Sequence, residues 1–359
     1  MKSMYKKLLV GLLAVVMLVV FTACGGGKID TSQIESKSLM GSKNAEVRWR
    51  VGGTTAPPPG HYMSGLVHMQ KLVEKYSNGK MTIDIYPSSL LGNERDMIEN
   101  VGLGIQDMVI TATGPVPNFV PDFSVLDFPY LFGTAEEAYA AEDSAIGQHL
   151  LDELKPIGIV KAYFWENGFR DTTNSKRALV HPSDVKGLKI RTMENTIHMA
   201  TYHQLGAIAT PMAYGELFTA LNQKTVDGQE NPPVIIATDK LYEVQKYLSI
   251  THLFYSPSVL MISEKSYNAL SDDLKKVVTR AAKESTDWER AYSQKASADG
   301  VVEMRKAGTK VNEIDQAEWR KAVQPVYDNA EKLGANVKLL KQLQQFVSDY
   351  RAKNGTETK

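Results

Sequence analysis

A chain of 359 residues with 43% apolar and 23% charged content has the length for about two domains and an ordinary globular composition. It carries 41 basic and 41 acidic residues and no formal net charge. No broad field therefore recruits nucleic acid or an anionic membrane, and any selectivity for anions has to be local.

The first 24 residues read as an export signal. Lys2, Lys6 and Lys7 precede an apolar run from Leu8 to Phe21, too short for a typical spanning helix and right for a signal peptide. The run ends in Phe21-Thr22-Ala23-Cys24, which resembles a bacterial lipobox with Cys24 as the lipidated residue. With no other cysteine in the chain, no internal disulfide is possible and the core has to supply stability. Residues 25–45 are polar and Gly/Ser-rich, and read as a flexible tether between a lipid anchor and the folded body.

The body opens with a strand over Val47 to Val51, then an irregular loop, Gly52-Gly53-Thr54-Thr55-Ala56-Pro57-Pro58-Pro59-Gly60. Tyr62, Leu66, Met69, Val73 and Tyr76 recur at helical spacing, and Asn78-Gly79 stops that helix. Met81 to Tyr86 alternates like a half-buried strand, and Asn93 caps a helix with Met97, Ile98 and Val101 inside. A strand over Asp107 to Thr111 leads to a loop with Pro115, Pro117 and Pro121. This βαβαβ rhythm predicts parallel pairing, with ligands beyond the strand carboxyl ends.

Further along, the pattern predicts a helix near Ala135 to Leu154 and an apolar strand from Ile157 to Phe164. Leu188 to Arg191 reads as a strand, Thr196 to Leu205 and Tyr214 to Gln223 as helices, and Val259 to Ser263 as a returning strand. Ser271 to Ala307 holds a helical pattern without proline. Such a helix reaches about 55 Å and crosses both halves of the molecule, with Gly300 as the place for a bend or break. Asp315 caps a helix presenting Trp319 and Val323, with a kink expected at Pro325, and Val337 to Tyr350 forms the last amphipathic helix.

Catalytic signatures are missing: the sequence has no G-x-S-x-G elbow, H-E-x-x-H, P-loop or C-x-x-C. The chain reads as no enzyme, with no cofactor and no metal. Its seven histidines are dispersed, and Glu194 with His198, four residues apart, read as a solvated helix face. Two arginines stand out instead. Arg170 follows the segment Tyr163 to Phe169, and Arg191 closes Leu188-Lys189-Ile190 where a strand gives way to a helix begun by Asn195. A guanidinium fork matches both oxygens of a carboxylate, so the two suggest capture of a small organic anion. Gln229-Glu230-Asn231, stiffened by Pro232 and Pro233, and the ring and hydroxyl of Tyr214 add polar groups.

A series of landmarks carries a family resemblance: Tyr86-Pro87-Ser88-Ser89-Leu90-Leu91-Gly92, Phe128-Pro129-Tyr130, Asn167-Gly168-Phe169-Arg170, Gly187-Leu188-Lys189-Ile190-Arg191, Thr210-Pro211-Met212 and Val226-Asp227-Gly228-Gln229-Glu230-Asn231-Pro232. In order and spacing the chain after Glu46 resembles the solute-binding subunits of tripartite ATP-independent periplasmic (TRAP) transporters, the C4-dicarboxylate-binding type. The resemblance implies an α/β fold like that of periplasmic binding proteins, with two lobes that each hold a mainly parallel sheet flanked by helices. Lobe I would comprise residues 46–167 plus 257–296, and lobe II residues 168–256 plus 297–359. It further implies Arg191 as the carboxylate clamp, Arg170 as a second arginine and Asn231 as a ligand contact, with Asn195 and Tyr214 along the ligand. The partners implied are a small organic acid and the small and large TRAP membrane subunits. The protein would act as a monomer in the periplasm or on the outer face of the cytoplasmic membrane, held there only by its lipid. Residues 169–247 look most like sialate-binding members, but Ala112 stands where those carry an acidic residue. C4-dicarboxylates and sugar acids both stay open as ligands. A membrane-tethered organic-acid sensor with a signalling partner is the alternative from another class, and an extracytoplasmic lyase or hydrolase a third.

Overall fold

The computed structural model describes residues 38–355. The export signal, Cys24 and the first part of the expected tether lie outside the described residues.

The first strand, β1 (Val47–Gly52), lies between β2 (Met81–Tyr86) and β3 (Met108–Ala112), parallel to both. Helices α1 (His61–Tyr76) and α2 (Glu94–Gly102) make the two crossovers. The expected register holds on α1 for Tyr62, Leu66, Met69 and Val73, which are buried together with Met63, whereas Tyr76 is half-buried; each buried aliphatic or Met side chain is worth roughly 1.5–3 kcal/mol. On α2, Asn93 and Asp96 form a capping box, which satisfies amides that would otherwise be orphaned at the helix start. Strand β2 differs from its sequence reading, because all six residues are buried. Leu39 pairs with Ile85 along its outer edge, and Asp84 accepts from Arg48 and from the Gly41 amide. Residues 38–44 of the expected tether are therefore part of the folded body.

Two more short helices, α3 (Ala135–Glu142) and α4 (Ala145–Asp152), replace the single predicted one, since Ser144 caps a new start. Then comes β4 (Ile159–Asn174), far longer than its apolar part. Strands β5 (Lys189–Thr192), β6 (Ile208–Pro211) and β7 (Gly228–Asn231) are joined by α5 (Thr196–Gln204), α6 (Leu217–Asn222) and, after β7, α7 (Pro233–Thr238). The returning strand β8 (Tyr247–Ser263) is also long. After α8 (Glu264–Asn268) the chain runs along α9 (Asp272–Lys306), then β9 (Lys310–Glu313), α10 (Gln316–Asp328) and α11 (Val337–Asn354). No helix of the described residues is long and apolar enough to cross a membrane.

Among the described residues the strands make one nine-stranded sheet in the order β2-β1-β3-β8-β4-β7-β5-β6, with β9 on β8. Each end of the sheet is parallel, as expected, but β3–β8, β8–β4 and β4–β7 are antiparallel. The middle is thus two long strands shared by both halves. Residues 258–262 of β8 pair with β3, whereas residues 247–250 pair with β9. The β4–β8 ladder shifts register between Glu166 and Gly168 and again between Arg170 and Thr172, so the sheet changes course there.

The long helix crosses both halves. Near its start Val278, Ala281 and Ala282 join the core of β1 and β2, and near its end Met304 joins a core with Leu217 and Leu248. It does not break at Gly300. A Cβ at that position would sit 2.8 Å from the Pro233 carbonyl oxygen, so the glycine lets α7 approach the helix. Helix α10 holds Pro325 in its interior.

A candidate carboxylate-binding cleft

The loop after β1, the end of β3, β5 and the end of β7 bring their carboxyl-terminal residues to one cavity, as the βαβ rhythm predicts for a ligand site. Thr54, Thr55, Tyr62 and Glu94 form one wall, and Arg191, Tyr214, Asn231 and Ile235 the other, with Asn167 and Arg170 of β4 between them. The enclosed space is about 10 Å³, roughly the room of one water molecule. Anything larger enters only when the walls part.

Arg191 is 1% exposed, yet no carboxylate pairs with it among the described residues. Its Nε and Nη2 both donate to the Met212 carbonyl oxygen, at 3.1 and 2.8 Å. The guanidinium carbon lies 5.9 Å from the centre of the Tyr214 ring, and Nη1 is buried without a hydrogen-bond partner. Burial pulls its pKa down, with Glu94 the largest opposing influence. A guanidinium stays charged in proteins, so this is a desolvated cation that lacks an anion.

Arg170 is different. Its Nε donates to Glu230 Oε2, and its Nη2 donates to Glu230 Oε1 at 3.0 Å and to the Glu230 carbonyl at 2.7 Å. Glu230 also meets His198 Nδ1 at 3.4 Å, while His198 Nε2 lies 3.6 Å from Asp127 Oδ1. His198 is fully buried and stacks on Phe254 at 3.8 Å, which overturns the reading of a solvated histidine. Burial pushes the Glu230 carboxyl up, but Arg170 and His198 outweigh it and hold it down to about 2.

The remaining sequence-selected residues divide. Tyr214 and Asn231 line the cavity; the Tyr214 hydroxyl donates to Asp239 Oδ2 at 2.7 Å. Asn195 does not line it. Its Oδ1 accepts from the amides of Ile197 and His198, and its Nδ2 donates to Gly114 O and Asp127 Oδ2, so its side chain is occupied in capping α5 and tying it to the loop after β3. Sequence reasoning missed Asn167, buried with both amide atoms unpartnered, and Glu94, whose Oε1 accepts from Thr54 Oγ1 at 3.3 Å. Asn167 stood inside a landmark motif. Glu94 was legible only as an acid in the first turn of a helix, where it suits the macrodipole anyway.

A larger groove of about 860 Å³ runs past Arg95, Lys155 and Glu194, but none of these is a buried polar group aimed at a common point. Among the described residues no cluster of His, Cys, Asp and Glu could hold a metal ion.

The chain matches the family described as bacterial extracellular solute-binding protein, family 7, over residues 52–333. It is 41% identical to a solute-binding protein of Verminephrobacter eiseniae, over 73% of this chain and 78% of that one. Among solved structures, a TRAP periplasmic solute-binding protein from Polaromonas sp. JS666 bound to D-erythronate is 42% identical, with a TM-score of 0.79 over 83% of this chain and 98% of the other. The sugar acid binding protein of Advenella mimigardefordensis in complex with galactonate is 32% identical, with a TM-score of 0.82 over 84% and 98%. A mixed sheet with its cleft at the strand carboxyl ends, and a buried guanidinium lacking its anion, agree with these matches: the chain belongs to the family 7 bacterial extracellular solute-binding proteins, the solute-binding components of TRAP transporters.

Proposed function

We propose that this protein captures a small hydroxylated monocarboxylate, of the sugar-acid kind, and hands it to the small and large TRAP membrane subunits. One observation carries the reading: Arg191 is buried with no carboxylate partner and an unused Nη1 at the cavity wall. An isolated buried charge is costly, and an incoming carboxylate relieves that cost with charge-assisted hydrogen bonds.

The charge balance of the cavity narrows the class. Arg170 already has Glu230, so Arg191 is the one cation of the wall free for a ligand carboxylate. The remaining ionic group of the wall is Glu94. A second ligand carboxylate would face this anion, and like charges at about 4 Å repel by roughly 4 kcal/mol at a protein-like effective dielectric. A hydroxyl donates to the same oxygen instead. The amide of Asn167, unpartnered at both atoms, and that of Asn231 suit further hydroxyls. The Polaromonas and Advenella proteins, bound to D-erythronate and galactonate, support this choice.

Arg191 thus takes the carboxylate, Asn231, Asn167, Glu94 and Tyr214 line the remainder of the ligand, and Arg170 with Glu230 sets the floor. Asn195 holds α5 in place. The acid bridges the walls contributed by lobe I (residues 46–167 plus 257–296) and lobe II (residues 168–256 plus 297–359), and so favours the closed form. The charged run before the apolar leader, and the lipobox-like end at Cys24, support export and a lipid anchor that keeps a monomer near its membrane partners.

Calorimetry with D-erythronate, D-galactonate and succinate tests the reading. A hydroxy monoacid is expected to bind at about micromolar affinity, or −8.2 kcal/mol, and succinate at least about tenfold more weakly. Tighter binding of succinate would overturn the proposed ligand class.

A further inference from the structure

The other side of β4 carries a second pocket, of about 470 Å³. Asn167 and Arg170 line the carboxylate cleft, while Glu166, Phe169 and Asp171 line this one. Its other walls come from the start of α3, from β8 at His252, from the later part of α9 and from the end of β9 at Glu313. The two sites therefore share one strand, back to back, where the β4–β8 ladder is broken on either side of residues 168–170. Gly168 and His252 both have positive φ there, 108° and 44°.

The chemistry of the pocket is anionic. Glu136, Asp171 and Glu313 line it against Arg305 and His252, while burial pushes the Glu166 carboxyl up to about 8, so that near neutral pH it adds a hydrogen-bonding acid more than a charge. Asp171 is fully buried. Its Oδ1 accepts from the His252 amide at 2.8 Å and meets His252 Nδ1 at 3.0 Å, but its Oδ2 has no hydrogen-bond partner. Glu166 has Oε2 engaged by the hydroxyls of Tyr139 and Tyr255. Phe169, Ile250 and Val301 supply apolar surface beside these groups. An unpartnered carboxylate oxygen next to an aromatic ring suits an ammonium head with a short apolar body.

We propose that this back pocket is a second ligand site, for a small organic ammonium ion, and that its occupancy favours closure of the carboxylate cleft. The coupling part rests on the reading of that cleft given above. The two pockets lie on opposite sides of a bend in the same strand pair, so parting the walls of one narrows the other. A cation in the back pocket opposes that narrowing. By linkage the acid and the cation then raise each other's affinity by the same factor.

The test uses benzylammonium as the probe, benzyl alcohol as its uncharged counterpart, and D-erythronate and D-galactonate as the acids, on the purified full chain. Calorimetry of the probe alone addresses the new site, and calorimetry of the acids alone addresses the cleft. Saturable binding of benzylammonium but not of benzyl alcohol is expected, and saturating probe should tighten acid binding about fivefold. Asp171→Asn should weaken the probe about tenfold. Because Asp171 also holds the His252 backbone, Ala298→Trp serves as a second variant: it fills the pocket from the exposed face of α9, and should abolish probe binding while the acid still binds without it. Probe binding that benzyl alcohol matches, that survives Ala298→Trp, or that is missing in the wild type would overturn the site. Probe binding that leaves acid affinity unchanged would overturn the coupling. If neither acid binds while benzylammonium does, the reading of the cleft fails and the back pocket stands.

Discussion

Arg170 and Arg191 are both buried to 1% exposure, but among the described residues only Arg170 has a counter-ion, Glu230. Removing that counter-ion leaves an uncompensated buried charge, so Glu230→Gln should destabilise the fold by roughly 3–5 kcal/mol, read as a shift in the chemical denaturation midpoint. The pair also sets a pH dependence. Glu230 is held at about 2, below its ordinary value of 4.5. The stability it contributes is therefore complete above about pH 4.5 and is lost as pH falls from there towards 2. Denaturation midpoints at about pH 5 and pH 3 should differ less in Glu230→Gln than in the wild type. Glu94→Gln should leave binding of a hydroxy monoacid within a few-fold and bring succinate closer to it, since the repulsion is removed. The sequence made both arginines visible through their settings. Their division of labour was not visible, because Glu230 lies sixty positions from Arg170 and only the β4–β7 pairing brings the two together.

At the scale of elements, helices with polar caps were legible. Asn93, Asn195 and Asp315 stand where the structure starts α2, α5 and α10, because an unpaired amide at a helix start needs an oxygen and few residue types supply one. The long strands were not legible beyond their apolar parts. Residues 166–174 of β4 are polar or glycine at most positions, yet buried, since their partners come from distant elements: Glu230 for Arg170, Tyr202 for Thr172 and Gln245 for Thr173. A binary pattern cannot register such pairings. Gly300 makes the same point in reverse. Read as a helix breaker, it is a close-packing position, so Gly300→Ala should destabilise the protein by about 1–3 kcal/mol by overpacking, despite the gain of about 1 kcal/mol in helix propensity. Thermal unfolding decides it; a more stable Gly300→Ala protein would contradict the contact with Pro233.

For the molecule as a whole, function follows from two long strands and one long helix shared between two halves, with a cleft on one side of the sheet. The cleft as folded has room for little more than one water, so the proposed capture of an acid requires its walls to part. On the proposed function, capture depends on Arg191, a cation left without an anion among the described residues. Titration calorimetry of Arg191→Lys with the tightest-binding hydroxy acid puts that dependence to the most direct test. A lysine keeps the charge but loses the fork, and affinity should fall by about 10–100-fold, equivalent to roughly 1.5–3 kcal/mol. Equal affinity in the variant and the wild type would contradict the account.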